Sequence, residues 1–329
     1  MAIIITGAAG FIGAHVARQV LARGDHVVGL DNLNDYYDVQ LKRDRLADIA
    51  HPNFVFHHVD FADPQALNDA LRTVDVDTIV HLGAQAGVRY SLINPTAYAQ
   101  SNLVGHLNLL ELARQRGVRQ MVYASSSSVY GNAQALPLRV SDRVDHPISL
   151  YAATKKANEL MSESYAHLYR IPLTGLRFFT VYGRWGRPDM AIWIFAEKIL
   201  SGQPITVYNQ GQMRRDFTHI DDIVAGIVAA IDRPVVDDGL AKSGGSVAPH
   251  RILNLGNHQA EELTRVISLI ESACGRRAEV DYQPLQPGDV LETFADISAS
   301  TADLGFVPTT PIDVGIPDFV AWLRAYRGL

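Results

Sequence analysis

The stretch Ala2-Ile-Ile-Ile-Thr6-Gly7-Ala-Ala-Gly10-Phe-Ile-Gly13 decides the fold of this chain of 329 residues. Its first five residues are apolar or β-branched, which is typical of a strand buried on both faces. Three glycines follow at once, and the apolar periodicity of His15–Arg23 then predicts a helix. A second strand, His26–Leu30, ends on Asp31. This order of strand, glycine turn, helix, strand and acid is the context of a dinucleotide-binding site.

The glycine turn and the acid have different roles in such a site. Glycines let the backbone approach a pyrophosphate, and the helix N-terminus meets its negative charge. We expect Asp31 to accept hydrogen bonds from the adenosine ribose hydroxyls. Asn32 follows instead of Arg or Lys, so nothing here favours a 2′-phosphate, and we expect NAD rather than NADP. The contacts predicted for this part of the site are Gly7, Gly10, Phe11, Ile12, Gly13, Asp31 and Asn32.

Alternating strands and helices continue as far as Phe179. The further strands are expected at Phe54–Val59, Thr78–Leu82, Gln120–Ala124 and Leu173–Phe179. This alternation predicts an α/β fold with a doubly wound parallel (Rossmann) sheet. Ligands bind at the carboxyl ends of the strands in such sheets. The cofactor contacts expected there are Asp60, Phe61, Leu82, Ala84 and Gln85.

The pattern loosens in the second half of the chain, where Ile252–Gly256 is expected to return to the main sheet. We therefore expect an NAD-binding Rossmann domain at residues 1–179, with residues from about 217 to 256 returning to it. A smaller, interleaved α/β domain that binds the substrate is expected at residues 180–216 and 257–329.

Composition and charge exclude several other classes of protein. The net charge is −6 and no basic block is present, which argues against nucleic acid as the main partner. No apolar segment approaches the roughly 20 residues that span a bilayer, and no secretory signal is evident. The single cysteine, Cys274, excludes an intrachain disulfide and a cysteine-based zinc site. We see no metal-ligand spacing and expect a protein of the reducing cytoplasm.

Tyr151-Ala-Ala-Thr-Lys155 is the stretch that carries the expected chemistry. Residues four apart lie on the same face of a helix, and a nearby Lys⁺ favours the phenolate form of a tyrosine. Tyr151 is therefore a candidate general base for an alcohol, with Lys155 lowering its pKa. Such a pair alone is a weak signal, but here it follows a predicted dinucleotide site. Ser126 ends an earlier strand and is the candidate hydroxyl partner.

Together with Arg215-Asp-Phe217, the segments Thr6–Gly13 and Tyr151–Lys155 resemble an extended short-chain dehydrogenase/reductase that acts on a nucleotide sugar. The resemblance runs nearly end to end. Within that family, four further segments are similar to the UDP-glucuronate 4-epimerases, namely Leu33–Asp38, Gln85–Ser91, Arg177–Gly183 and Gly186–Ala191. One departure is Arg184, which stands before Trp185 where the resemblance leads us to expect proline.

This resemblance implies a redox-neutral isomerase that interconverts UDP-glucuronate and UDP-galacturonate for polysaccharide biosynthesis. Tyr151 would take the C4 hydroxyl proton, and tightly bound NAD would take the hydride. The 4-keto sugar would then rotate and be reduced on its other face. Lys155 would also bind the nicotinamide ribose, and Ser126 the C4 oxygen. A homodimer through the helices Asn102–Arg116 and Tyr151–Tyr169 is implied as well.

The residues expected to bind the UDP-sugar fall into two groups. Arg215 is the candidate for the pyrophosphate, because a guanidinium can bind two oxygens at once. Asp289 is expected at the uridine ribose, and Thr206 and Tyr208 are candidates for the uracil pocket. The candidates for the sugar carboxylate are Ser127, Ser128, Thr180 and Arg187, with Arg89 placed beside the nicotinamide end of the sheet.

Three alternatives remain open at this point. A UDP-glucuronate decarboxylase would carry an acid two places after its catalytic hydroxyl, but this chain has Ser126-Ser-Ser128. A UDP-glucose/galactose 4-epimerase needs no carboxylate-binding group such as Arg187. A catalytically silent NAD-binding regulator should have lost Tyr151 or Lys155, and both are present.

Overall fold

A computed structural model describes residues 1–133, 135–285 and 290–329, so the predicted ligand Asp289 lies outside the described residues. Its strands, in chain order, are β1 (Ala2–Thr6), β2 (Val27–Asp31), β3 (Phe54–His58), β4 (Val76–His81), β5 (Gln120–Ser126), β6 (Leu173–Phe178), β7 (Thr180–Tyr182), β8 (Ile205–Tyr208), β9 (Arg214–Arg215), β10 (Phe217–His219), β11 (His250–Leu255), β12 (Glu261–Glu262), β13 (Val280–Gln283) and β14 (Glu292–Thr293).

The α-helices alternate with these strands. They are α1 (Phe11–Ala22), α2 (Val39–Asp48), α3 (Pro64–Ala70), α4 (Tyr90–Ile93), α5 (Pro95–Tyr98), α6 (Gly105–Arg116), α7 (Leu150–Tyr169), α8 (Ala191–Ser201), α9 (Ile220–Asp232), α10 (Leu263–Cys274), α11 (Ser298–Leu304) and α12 (Ile312–Arg327). In the described part of the chain, no helix is long and apolar enough to cross a bilayer.

Seven strands form one parallel sheet in the order β11-β6-β5-β4-β1-β2-β3. The order reverses between β1 and β4, which is the switch point where ligands bind in doubly wound sheets. The predicted parallel Rossmann sheet is therefore confirmed. The return of residues near Ile252 to the sheet is also observed, because β11 pairs with β6 from His250 to Leu255.

The remaining elements cover the carboxyl edge of this sheet. Strand β7 pairs with β10, β8 pairs with β13, and β9 lies between β12 and β14. Helices α8, α10 and α12 share a separate apolar core that includes Trp193, Ile270 and Phe319. These elements face the sheet across a cleft.

Two helices begin differently from the sequence-based expectation. Helix α1 begins at Phe11 rather than His15, because Gly10 is its N-cap and the glycine turn runs directly into the first helical turn. The helix predicted to begin at Asn102 is preceded by a π-helical turn, Ala99–Val104, and only then becomes α6. Insertion of a π-turn leaves no periodic signature in the apolar pattern, and such turns occur frequently at functional sites.

A buried ion pair fastens α7 to the sheet. Glu159 and Arg177 are each 3% exposed, with Arg177 Nε 2.8 Å from Glu159 Oε1. A second guanidinium nitrogen, Nη2, lies 2.9 Å from Oε2, and Ser125 Oγ donates to Oε1 at 2.7 Å. Three elements thus meet at one carboxylate: α7, β6 and the end of β5. The ion pair thus fixes the position of α7, which carries Tyr151, relative to β5, which carries Ser126.

We expect Glu159→Ala to lower the free energy of unfolding by about 3–5 kcal/mol, because it leaves the guanidinium of Arg177 buried without its counter-ion. Chemical denaturation with an unchanged m-value is the measurement. The control is Asp145→Ala, which removes an exposed partner of Arg143 and should change stability far less. Equal losses in the two variants would contradict the role assigned to Glu159.

Candidate active site

The cleft between the sheet edge and the covering elements has a volume of about 1000 Å³. It extends from the glycine turn and Asp31, past Tyr151, to β8 and β14 on the far side. All predicted catalytic residues line it. No group of three or more His, Cys, Asp or Glu side chains in the described ranges could hold a metal ion.

The glycine turn packs backbone against backbone. Gly7 has a φ of +69°, and a Cβ at this position would lie 2.8 Å from the Cα of Gly83. A Cβ on Gly13 would lie 2.0 Å from the carbonyl oxygen of Gly7. No side chain caps the N-terminus of α1, so its first N–H groups are available to an anion at the cleft. This cradle fits the pyrophosphate of a dinucleotide.

Asp31 ends β2 at the same edge and is 8% exposed. It accepts hydrogen bonds from the N–H groups of Leu33 at 2.8 Å and Ala9 at 3.2 Å. Burial raises the pKa of Asp31, whereas these bonds and the charge of Lys42 lower it. Lys42 is 4% exposed and donates to the carbonyl of Asn34 at 2.6 Å. Lys42 was not predicted, because its helical neighbourhood reads as a solvated face.

The other expected cofactor contacts divide into two sets. Asn32, Phe61, Leu82, Ala84 and Gln85 line the cleft. Asp60 is adjacent to this set through Asn32. Its carboxylate accepts from Asn32 Nδ2 at 3.1 Å and from the N–H of Ala62 at 2.9 Å. Asp60 thus fixes the orientation of the Asn32 side chain.

Tyr151 and Lys155 lie on the first turns of α7, which Ser149 caps through the N–H of Ala152. Lys155 is 3% exposed, and its Nζ donates to the carbonyl of Ala124 at 2.9 Å. Burial lowers the pKa of Lys155 to about 8. The ammonium is therefore charged at neutral pH while remaining close to its ionisation point.

The protonation of Tyr151 depends on burial and on two neighbouring groups. Burial raises the pKa of its phenol, whereas a hydrogen bond with Ser126 and the positive charge of Arg187 lower it in part. The Lys155 ammonium lies on the next turn of the helix and is directed to the Ala124 carbonyl. Arg187, distant in sequence, adds a positive charge that the sequence did not associate with Tyr151.

Ser126 and its successors form a hydroxyl-rich corner where β5 ends. Ser126 is the N-cap of a 3₁₀ turn, Ser127–Tyr130, and accepts from the N–H of Ser128 at 3.1 Å. Its hydroxyl also lies 3.1 Å from the Ser128 hydroxyl. Ser127 and Thr180 line the same part of the cleft. This corner therefore presents neutral donors and no acid beside Tyr151.

Arg187 extends into the cleft from the loop before α8, with its side chain 23% exposed. Its Nε and Nη2 lie 3.0 and 2.5 Å from the two carboxylate oxygens of Asp189. Tyr36, from the loop after β2, donates to the same carboxylate at 2.9 Å. A guanidinium suited to a carboxylate is thus held in a defined plane near the phenol of Tyr151.

The far end of the cleft collects the residues expected at the uridine. Thr206 and Tyr208 alternate with buried Ile205 and Val207 along β8, and therefore both face the cleft. Arg215 lines it from β9. The guanidinium of Arg89 lies 4.7 Å from the ring centroid of Tyr208. Arg89 therefore contacts β8 across the cleft.

Asn102 is a residue of the site that sequence reasoning missed. It lies in the π-helical turn and is 1% exposed. Its side chain exchanges hydrogen bonds with the backbone of Gln85 at 2.8 and 3.1 Å, and donates to Thr154 Oγ1 at 3.0 Å. It therefore joins the loop after β4 to the helix of Tyr151. An asparagine inside an apolar helical pattern gave no signal of this role.

A dinucleotide cradle and a Tyr–Lys pair at one cleft define the class of protein, an α/β enzyme that uses a nicotinamide cofactor on an alcohol. The chain belongs to the NAD dependent epimerase/dehydratase family, whose pattern matches residues 3–241. It is 45% identical to a probable UDP-glucuronate 4-epimerase of Rhizobium meliloti, covering 98% of this chain and 96% of that one. It is 43% identical to UDP-glucuronate 4-epimerase 1 of Arabidopsis thaliana, covering 100% and 78%.

A solved structure is also similar to this chain over nearly its whole length. The UDP-glucuronic acid 4-epimerase of Bacillus cereus, in complex with UDP-glucuronic acid and NAD, superimposes with a TM-score of 0.89. It is 30% identical, and the match covers 99% of this chain and 100% of that one.

We expect Gly13→Ala to weaken NAD binding by about tenfold or more, because strain of a few kcal/mol would displace the turn. Titration calorimetry with NAD measures the effect. The control is Gly24→Ala, where a Cβ meets nothing within 4 Å although φ is +96°. That variant should lose stability but keep its NAD affinity, and a similar loss of affinity in both would contradict the role of the turn.

Proposed function

We propose that this protein interconverts UDP-glucuronate and UDP-galacturonate by oxidation at C4, rotation of the 4-keto sugar and re-reduction. The observation that carries the proposal is the position of Arg187, which lines the same cleft as Tyr151 and Ser126 and is held there by Asp189. A carboxylate-binding group thus lies beside the base that acts on the sugar. Full-length similarity to UDP-glucuronate 4-epimerases supports the same activity.

We assign the proton transfer to Tyr151 and Ser126. The phenolate of Tyr151 takes the proton from the C4 hydroxyl, and the hydroxyl of Ser126 holds the C4 oxygen in line with it. NAD, when bound, would supply the hydride acceptor, and in its reduced form the hydride donor, for C4. Tyr151 gives the same proton back to the opposite epimer, so no net proton is consumed. Lys155, charged below a pKa of about 8, would bind the nicotinamide ribose of the cofactor.

The carboxylate of the substrate requires protection during the reaction. The 4-keto intermediate is a β-keto acid, which loses CO₂ when the C5–carboxylate bond aligns with the carbonyl π system. Arg187, Ser127, Ser128 and Thr180 are proposed to hold the carboxylate out of that alignment, because charged and neutral donors stabilise it as an anion. No acid follows Ser126 in the corner, so nothing there repels the substrate.

The rival activities lack comparable support. A UDP-glucuronate decarboxylase would place an acid at position 128, where the structure has the hydroxyl of Ser128 next to Ser126. A neutral-sugar epimerase would have no use for Arg187 beside Tyr151. A silent NAD-binding regulator would not need Tyr151, Lys155 and Ser126 at one cleft.

The binding of UDP follows from the far end of the cleft. We propose that Arg215 binds the pyrophosphate and that Thr206 and Tyr208 border the uracil, with Arg89 against Tyr208. Asp289 is proposed for the uridine ribose on the resemblance alone.

We also propose that residues 1–179 and 217–256 form the NAD-binding domain and that residues 180–216 and 257–329 form the UDP-sugar domain. The pairing of β11 with β6 supports this division.

A homodimer is proposed through α6 and α7. Five large apolar side chains on these helices are exposed, namely Leu107 at 41%, Leu150 at 39%, Leu160 at 57%, Leu168 at 66% and Tyr169 at 46%. An apolar surface of this kind marks an interaction site. A symmetric pair of chains could bury both helices in one interface.

We also propose a cytoplasmic location, for which the free Cys274 is the supporting observation.

The activity is tested by incubating the protein with UDP-glucuronate and separating the products. We expect UDP-galacturonate without stoichiometric NADH, because the hydride returns to the sugar. Tyr151→Phe should lower kcat by about 10²–10⁴-fold, the usual contribution of a general base, while NAD affinity stays close to that of the wild type. Accumulating NADH would indicate a dehydrogenase, and UDP-pentose as the main product would indicate a decarboxylase.

The dimer is tested with Leu160→Glu, which places a charge in the proposed interface. Light scattering at micromolar concentration should give a mass of two chains for the wild type and one chain for the variant. Leu240→Glu is the control, because Leu240 is 67% exposed and lies outside both helices. A wild-type mass of a single chain would overturn the proposal.

A further inference from the structure

The ion pair of Arg187 with Asp189 poses a problem for an enzyme whose substrate is itself a carboxylate. The side chain of Asp189 is 28% exposed and that of Arg187 is 23% exposed, so both reach the cleft. Asp189 binds Nε and Nη2 of the guanidinium, which leaves Nη1 as the amino group not engaged with it. An internal acid therefore competes with the sugar acid for the same cation.

Tyr36 fixes the internal acid from the other side. Its hydroxyl donates to Asp189 Oδ2 at 2.9 Å, and its ring lies 4.7 Å from that of Tyr90. A Cβ on Gly87 would lie 2.5 Å from the Tyr36 hydroxyl, so only glycine leaves room for it. Burial and the charge of Asp189 raise the pKa of Tyr36 to about 12. The hydroxyl therefore remains a donor at neutral pH.

The hydrogen bond of Tyr36 and the ion pair with Arg187 both stabilise the ionised carboxylate of Asp189, so they compete for the same negative charge. Burial raises the pKa of Asp189, but the charge and hydrogen bonds of Arg187 and the bond from Tyr36 outweigh it and hold that pKa below its usual range. Because the Asp189 carboxylate also accepts a hydrogen bond from Tyr36, it binds the guanidinium of Arg187 less strongly than it would without that bond. The guanidinium is therefore more available to a second carboxylate.

We propose that Asp189 and Tyr36 are positioning residues that set how strongly Arg187 binds the sugar carboxylate. This inference rests on the proposed function. Asp189 holds the guanidinium plane and neutralises it while the keto sugar rotates and its carboxylate is away. Tyr36 limits that neutralisation. The binding of the acid is thereby strong enough to protect it from decarboxylation and weak enough to allow rotation.

The loop of Tyr36 also connects the Arg187–Asp189 ion pair to the cofactor site. Leu33 donates to Asp31, Asn34 donates to Asn32, and Tyr36 donates through its N–H to Asn34 Oδ1 at 3.3 Å. Successive side-chain turns thus lead from the proposed ribose ligand to the residue that holds Asp189. The loop brings both functions together within a few residues.

Two substitutions should act in opposite directions. Asp189→Asn removes the competing negative charge, so the dissociation constant for UDP-glucuronate should fall by about tenfold, because charges at this distance interact strongly in a partly buried site. Its kcat should fall as well, since the carboxylate is released more slowly. Tyr36→Phe should raise the dissociation constant by about two- to fivefold, because Asp189 then binds Arg187 more strongly.

The dissociation constants are measured by calorimetry on NAD-loaded protein in a Tyr151→Phe background, which prevents turnover. UDP-glucose is the internal control, since a neutral sugar should bind all variants equally if they are folded. Asp318→Asn is the matched control, because Asp318 pairs with Arg184 by a 2.7 Å bond outside the cleft. The double variant Tyr36→Phe/Asp189→Asn should match Asp189→Asn, because Tyr36 acts through Asp189.

The possible outcomes distinguish a failure of this inference from a failure of the proposed function. Weaker or unchanged UDP-glucuronate binding in Asp189→Asn, with UDP-glucose binding intact, would overturn the inference and leave the activity standing. An additional effect of Tyr36→Phe in the double variant would also overturn it. If Arg187→Ala does not weaken UDP-glucuronate binding, the carboxylate site itself is wrong. A wild-type protein that forms no UDP-galacturonate would overturn the proposed function and with it this inference.

Discussion

The close approach of two backbone segments is the constraint on which this molecule depends. Gly7, Gly13 and Gly83 meet without side chains between them, and any Cβ would fall within about 3 Å of another backbone atom. Because of this contact, α1 starts directly at the end of β1, and its N-terminus faces the switch point of the sheet. The cofactor cradle and the height of the neighbouring loop after β4 are set by the same packing.

A second level of organisation is electrostatic, and buried cations provide it. Arg45 is fully buried and donates to the carbonyls of Ala9, Trp185 and Gly186, at 3.1, 2.7 and 2.7 Å. It thereby joins the dinucleotide turn to the loop that carries Arg187. Arg177 and Arg187 each have a carboxylate partner, whereas Lys155 has a carbonyl partner and its pKa is lowered by burial.

How much was predictable depends on how far apart in sequence the interacting groups are. The glycine turn, Asp31 and the Tyr151–Lys155 pair were found because their spacing along one strand or helix is itself the signal. The predicted strands were confirmed to within a few residues. The contacts of Asp60 with Asn32 and of Arg89 with Tyr208 could not be read from the sequence, because they depend on which neighbour a loop side chain reaches. Lys42, Asn102 and Asp189 were not assigned at all.

The sequence by itself determined the order of elements, the parallel sheet and the candidate for the base, since each is encoded in local periodicity or in a short motif. Only the tertiary structure decided that the charge of Arg187 acts on the pKa of Tyr151, and that Arg187 and Tyr36 share the carboxylate of Asp189. Electrostatic interactions act through space and fall with distance, not with sequence separation. Tyr36 and Asp189 lie in different halves of the chain, and no pattern in either segment indicates that folding brings them to one hydrogen bond.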